Sequence, residues 1–309
     1  MIRRTFVTAL TAALLAGTAL LAGAALAQGT KITIAHATAS DFLPAFVAKE
    51  KGIFAKHGLD VTLQVYANIA LTPAALMSNQ IQIGATTPTN VLLAGEAGLD
   101  VVGVVGGSRL QKTNPRIYLV SRPGFTITKP DDLRGKKVGV PGLNAIIDLF
   151  LRKWLMDNKV PVKEVTIVEA LLPQMPDLLK SGLVDAVTPI EPIVTRIVSS
   201  GSGQRSFPFY HDVNPDVIAA FWISSRSWAD ANRKTVQQFK AAYEEAIDYI
   251  QKNPEEGHKI ELQYLKVTAP VFPSFSTSIT TKDLDDVASI MREVGFLKGP
   301  VDTSKLVWK

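Results

Sequence analysis

Two stretches of this chain, offset by about 105 residues between Lys31 and Lys136, repeat one order of structural signals. The first opens with the short apolar run Lys31-Ile32-Thr33-Ile34. A helical segment from Pro44 to Lys56 follows, with Phe46, Val47, Ile53 and Phe54 at helical spacing. Gly58 suits a left-handed helix end, and Val61, Leu63 and Val65 then alternate as a half-buried strand. A short helix ends near Ser78-Asn79, before the strand Ile81-Gln82-Ile83-Gly84. The second stretch runs from Lys136-Lys137-Val138-Gly139-Val140 through a helix near Ala145 to Asp157 and the strand Val165 to Val168. It closes with a helix through Lys180 and Ser181-Gly182-Leu183-Val184-Asp185-Ala186-Val187. Strands alternating with helices over short connections imply parallel sheets built from right-handed β-α-β units. Two such halves imply two α/β lobes.

Two apolar runs read as crossings between the lobes: Arg116 to Ser121, ahead of the turn signal Arg122-Pro123-Gly124, and the return Val217 to Ile223. Thr235 to Gln251 is a strong amphipathic helix, with Val236, Phe239, Tyr243, Ile247 and Ile250 on one face. A last helix is expected from Lys282 to Glu293, stopped by Gly295. Both would pack back on the first lobe. The expected division is therefore residues 1–27 as a leader, 28–118 as the first part of lobe 1, 119–221 as lobe 2, and 222–309 as the return to lobe 1.

The leader reading rests on Arg3 and Arg4, the apolar run Phe6 to Leu26, and the small-residue site Ala25-Leu26-Ala27. This is the pattern of a secretory signal cut after Ala27, which would put the protein in the periplasm. A membrane anchor is the rival, but no basic stop-transfer flank follows the run. Without the two leader arginines, 31 basic residues face 28 acidic ones, a net charge of +3. So small and dispersed an excess argues against a nucleic-acid partner. The chain has no cysteine, which excludes disulfides, thiolate metal sites and a cysteine nucleophile. The four histidines, His36, His57, His211 and His258, show no metal-ligand spacing. Motifs of the H-E-x-x-H, G-x-x-x-x-G-K and G-x-S-x-G kinds are missing. No cofactor or metal is called for, and a non-enzymatic role is expected.

In parallel α/β sheets, ligands bind beyond the carboxyl ends of the strands, where helix N-termini present free N–H groups. From lobe 1 this selects His36, Ser40, Asp41 and Phe42, then Asn68, then Thr86, Thr87 and Thr89. From lobe 2 it selects Gly142, Leu143, Asn144, Ile190 and Glu191. Each has a blander role open to it: Ser40, Asp41, a threonine or Asn144 as a helix cap, Glu191 as a loop acid, His36 as a structural histidine. Trp222 is a candidate for stacking on the ligand or for hinge core. Arg109, after Gly106-Gly107-Ser108, is the best-placed cation for an anionic ligand, or else a surface residue.

Three segments resemble the bacterial ABC-transporter solute-binding proteins of the nitrate, sulfonate, taurine and thiamine-pyrimidine-precursor group. They are Pro44 to Phe54 with His57-Gly58-Leu59-Asp60-Val61, Asp132 to Val140, and Ser181 to Ala186 followed by Glu191-Pro192. The resemblance implies a type II periplasmic-binding-protein fold, two α/β lobes joined by a two-strand hinge. It further implies a monomer that hands a small solute to a membrane permease driven by a cytoplasmic ATPase. A sensor that shows its closed form to a receptor needs the same trap, and enzymes also occur on the fold. Members that bind sulfonate or nitrate often carry Gly with Ser or Thr after the strand entering lobe 2. Here the run is Gly142-Leu143-Asn144-Ala145, followed by Ile146 and Ile147. Lacking the hydroxyl, it points to a larger organic solute, an organic anion or a partly apolar or aromatic compound, with helix N-termini still able to hold one carboxylate.

Overall fold

The computed structural model describes residues 29–309, so the leader expected over residues 1–27 lies outside the described residues. The first repeat folds as β1 (Thr30–His36), α1 (Leu43–Glu50), α2 (Ile53–Lys56), β2 (Leu59–Val65), α3 (Thr72–Met77), β3 (Ile83–Thr86), α4 (Pro88–Glu96) and β4 (Val101–Gln111). The second folds as β5 (Val120–Ser121), β6 (Lys137–Val140), α5 (Ile146–Asp157), β7 (Thr166–Glu169), α6 (Met175–Lys180), β8 (Ala186–Val187), α7 (Ile193–Ser199) and β9 (Gln204–Arg205). The chain then returns through β10 (Asp216–Ser225), α8 (Arg226–Ala231), α9 (Arg233–Lys252), α10 (Pro254–Leu265), β11 (Ser274–Phe275) and α11 (Thr281–Val294).

The two sheets share one local topology. The six-stranded sheet has the order β11-β4-β10-β3-β1-β2, and the five-stranded sheet has β7-β6-β8-β5-β9. In the first, β1 runs parallel to both β2 and β3, and β10 lies antiparallel beside β3. In the second, β6 runs parallel to both β7 and β8, and β5 lies antiparallel beside β8. The repeated order of signals is thus a repeated β-α-β-α-β unit, each closed by an antiparallel strand.

Three local expectations change. The single helix from Pro44 to Lys56 is two helices, because Gly52 takes a left-handed φ of 67° and turns the chain between them. Of the crossing run Arg116 to Ser121, only Val120–Ser121 is a strand, while Ile117 makes an isolated bridge to Ile190. The return strand β10 pairs with β4 from Asp216 onward, so it joins the first sheet six residues ahead of the expected position 222.

The C-terminal helices follow the sequence closely. Val236, Phe239, Tyr243, Ile247 and Ile250 of α9 are all buried, and they pack against α1, α2 and the first sheet. Helix α11 starts with a capping box in which the Thr280 hydroxyl accepts from the Asp283 N–H and the Asp283 carboxylate accepts from the Thr280 N–H. It ends at Gly295, with a left-handed φ of 84°. Among the described residues, no helix is long and apolar enough to cross a membrane.

Candidate functional site

The C-terminal ends of the parallel strands in both sheets border a cavity of about 110 Å³. After β1 it is lined by Ala37, Ala39, Asp41 and Phe42, after β2 by Ala67 to Ala70, and after β3 by Thr87 and Asn90. Leu110, Ala219 and Ala220 form its floor on β4 and β10. The opposite wall comes from beyond β6, with Pro141, Gly142 and Ala145 to Ile147, beyond β7 with Leu172, and beyond β8 with Ile190. The polar side chains of the lining, Asp41, Asn68, Thr87 and Asn90, all come from the first lobe, and the second lobe contributes apolar surface.

Of the side chains singled out from sequence, Asp41, Phe42, Asn68, Thr87, Gly142 and Ile190 line this cavity. The others stand outside its lining, each for a physical reason. His36 is buried with its ring edge-on to Phe46, at 4.8 Å between centroids, and its Nδ1 lies 3.0 Å from the Ala37 carbonyl. Burial, partly opposed by that hydrogen bond, lowers its pKa. The Ser40 hydroxyl donates to the buried Glu261 carboxylate. Thr86 is fully buried, and the Thr89 hydroxyl lies 2.9 Å from that of Thr87. Arg109 is engaged by two carboxylates, Asp216 at 2.6 Å and Asp283 at 2.8 Å. Leu143 is exposed, and Asn144 holds a left-handed turn with φ 60° whose N–H donates to Asp148 at 2.8 Å. Trp222 is fully buried among Phe42, Phe239 and Tyr243, which makes it core.

Glu191 is buried behind the lining and accepts the Thr195 N–H at 3.0 Å. Burial raises its carboxyl above the usual range, and the Thr195 contact and the charges of Arg116 and Arg205 offset this only in part.

Arg116 carried no sequence signal beyond its place in the crossing, yet it organises the site from behind. Its side chain is fully buried, and its two terminal nitrogens donate to the two oxygens of Asp41 at 3.0 and 3.1 Å. Ser108 adds a hydroxyl donor to Asp41 Oδ1 at 2.5 Å. Burial alone would raise the Asp41 carboxyl, but the guanidinium outweighs it and holds the group below the usual carboxylate range. The Arg116 carbonyl accepts the Glu191 N–H at 2.9 Å, tying the first crossing to the segment after β8. Asn90, the last residue of the polar run that opens at Thr86, is the other lining residue whose role emerges only in three dimensions.

The N-terminus of α5 has no side-chain cap at Ala145, but it carries a carboxylate of its own. Asp148 in its first turn accepts from the Asn144 N–H and from Arg152 at 2.7 Å. Among the described residues no cluster of three or more His, Asp or Glu side chains could hold a metal ion.

Two α/β lobes with this strand order, facing each other across a cavity at the strand ends, define a periplasmic-binding-protein fold. The alkanesulfonate-binding protein SsuA of Xanthomonas axonopodis pv. citri, solved with MOPS bound, superposes with a TM-score of 0.79, covering 91% of this chain and 99% of its own at 17% identity. The periplasmic nitrate-binding protein NrtA of Synechocystis PCC 6803 gives 0.73 over 89% of this chain and 84% of its own, at 16% identity. The chain belongs to the NMT1/THI5-like family, whose profile matches residues 39–257. A Brucella abortus (strain 2308) protein provisionally named a binding protein is 26% identical over 263 residues, 83% of this chain and 79% of its own. The taurine-binding periplasmic protein of Escherichia coli K12 is 26% identical over 237 residues, 72% of this chain and 68% of its own. These relatives and structural neighbours all carry the name of binding proteins.

Proposed function

We propose that this protein is the extracytoplasmic solute-binding component of an ABC importer, trapping a small organic solute between its lobes for delivery to a membrane permease. The observation that carries this reading is the cavity bordered by strand ends of both sheets. A solute that touches both walls stabilises the closed arrangement by its differential affinity for it. The closed lobes then present one continuous surface to the permease, whose cytoplasmic ATPase drives uptake.

In this reading Asp41, Phe42, Asn68 and Thr87 hold the solute from the first lobe, and Gly142 and Ile190 meet it from the second. The leader delivers the chain to the periplasm and is cut after Ala27, leaving a monomer. We place the lobe boundaries at the two crossings, residues 112–119 and 206–215.

The test is a thermal-shift screen of the chain from Gln28 against sulfonates, carboxylates, nitrate and neutral aromatic and aliphatic compounds, with small-angle scattering on each hit. A saturating solute at 100 times its Kd stabilises the native state by about 2.7 kcal/mol. A hit that also reduces the radius of gyration supports the trap. Uptake of that solute should then require both this gene and its permease. Uptake unaffected by deleting this gene, with a receptor captured instead, would replace the importer by a sensor.

A further inference from the structure

We infer that the solute is uncharged and two-faced: a hydrogen-bond acceptor such as a carbonyl oxygen seats at Asn90 and the N-terminus of α4, and an apolar body lies against Ile146, Ile147 and Ile190. The inference rests on the solute-trap reading above and narrows its cargo.

The acceptor is called for by donors that the protein leaves open. The Asn90 side chain lines the cavity at only 7% exposure, and its Nδ2 finds no hydrogen-bond partner among the described residues. Burying an amide donor unpaired carries its full desolvation cost, which a ligand acceptor would recover. Asn90 also stands in the first turn of α4, a nine-residue helix. That helix begins with Pro88, and its N-cap Thr87 makes no side-chain cap bond. The Thr87 hydroxyl pairs with that of Thr89 instead. The N–H groups of Thr89 and Asn90 therefore lie in the helix turn that has no intrahelical acceptors.

The absence of charge follows from the ion pairing. Asp41 is the charged side chain of the lining, and Arg116 cancels it through two hydrogen bonds from behind. Arg109 is spent on Asp216 and Asp283. An anion entering the cavity would lose its hydration, meet no Lys or Arg in the lining among the described residues, and face the Asp41 carboxylate. Burying an unpaired charge is far costlier than burying a neutral polar group. A cation would have to compete with Arg116 for Asp41. On the opposite wall, the carboxylate of Asp148, paired with Arg152, already lies in the first turn of α5, where it disfavours a second negative charge, and the described lining there consists of apolar side chains.

Matched neutral and anionic probes test this directly. Calorimetric titration at pH 7 would compare benzamide with benzoate and benzenesulfonate, and pentanamide with pentanoate and pentanesulfonate, on the chain from Gln28. The amide of at least one series should bind ten or more times tighter than its two anions. An anion binding as tightly as its amide, or no amide binding at millimolar concentration, overturns the inference.

Asn90→Asp keeps the size of the side chain and suits the first turn of a helix, so it should fold while weakening amide binding at least tenfold. Undiminished binding would remove Asn90 from the site. Asp41→Asn frees the Arg116 charge and should move the amide-to-carboxylate ratio at least tenfold toward the carboxylate. An unchanged ratio in folded protein would refute charge cancellation as the selective device. Scattering separates the two readings. Amide binding without compaction leaves the solute class standing and overturns the trap, whereas compaction by a sulfonate alone does the reverse.

Discussion

Asp41 and Arg116 face each other through two side-by-side hydrogen bonds of 3.0 and 3.1 Å, with the guanidinium fully buried and the carboxylate nearly so. Asp41 belongs to the turn after β1, and Arg116 to the crossing into the second lobe, where its carbonyl also takes the Glu191 N–H. One ion pair therefore joins the cavity wall of the first lobe to the hinge and balances the charged side chain of the cavity lining.

Removing one partner of such a pair strands the other. Arg116→Met should cost about 3–5 kcal/mol of stability, and Asp41→Leu a similar amount. The double variant should cost clearly less than the sum, with a coupling of about 2 kcal/mol or more in a urea-denaturation cycle. Additive losses would mean that the pair is not a unit.

The same pair sets a direction in acid. A native pKa held below the unfolded value of about 3.9 contributes stability above that value and loses it as pH falls through the native pKa. Denaturation midpoints should therefore decline below about pH 4, and Asp41→Asn should flatten that decline. An identical slope in the variant would assign the acid sensitivity to other carboxylates.

Glu191 has the opposite sign. Burial raises its native pKa above the unfolded value, so the stability it contributes is present at low pH and lost as pH rises through the native pKa. Glu191→Gln retains an acceptor for the Thr195 N–H. It should raise stability at pH 7, by an amount that shrinks toward zero as pH falls to about 4. A destabilised variant at pH 7 would show that the charged form is the favoured one.

Arg109 should matter little to either stability or binding. Its partner Asp216 is half exposed, Asp283 keeps the bonds of its capping box with Thr280 when the arginine is removed, and partly exposed ion pairs contribute about 0–1 kcal/mol. Arg109→Ala should stay within about 1 kcal/mol of the parent in urea melts, with solute affinity unchanged. A tenfold loss of affinity would return it to the site.

Gly106 is a strict packing position. A Cβ there would lie 2.4 Å from the carbonyl oxygens of both Ser276 and Ser278, which are backbone atoms and cannot swing aside. Gly106→Ala should destabilise by about 1–3 kcal/mol or more, as overpacking does. Full parental stability would mean that the segment around Thr277 shifts freely.

Much of this fold was legible without coordinates because it is set by local patterns. Apolar alternation marked the strands, the spacing of Val236, Phe239, Tyr243, Ile247 and Ile250 marked a one-faced helix, and Gly295 marked a helix end. The strand-end rule then selected the loops that line the cavity, including Asp41, Asn68, Thr87, Gly142 and Ile190. Within those loops the reading blurred, because a hydroxyl or amide beside a helix start serves a cap, a neighbour or a ligand with the same chemistry. Thr89 bonds Thr87, and Asn144 turns the chain, for reasons of backbone geometry that composition does not encode.

The sequence by itself determined the order of strands and helices, the doubling of the α/β unit and the strand ends that form the site. These follow from periodicities a few residues long. Only the tertiary structure decided which charges cancel. Asp41 meets Arg116 across 75 positions and Arg109 meets Asp283 across 174. Such pairings depend on how separate elements pack, and they turned the apparent cation of the site into the partner of two other carboxylates and an unremarked arginine into its electrostatic counterweight.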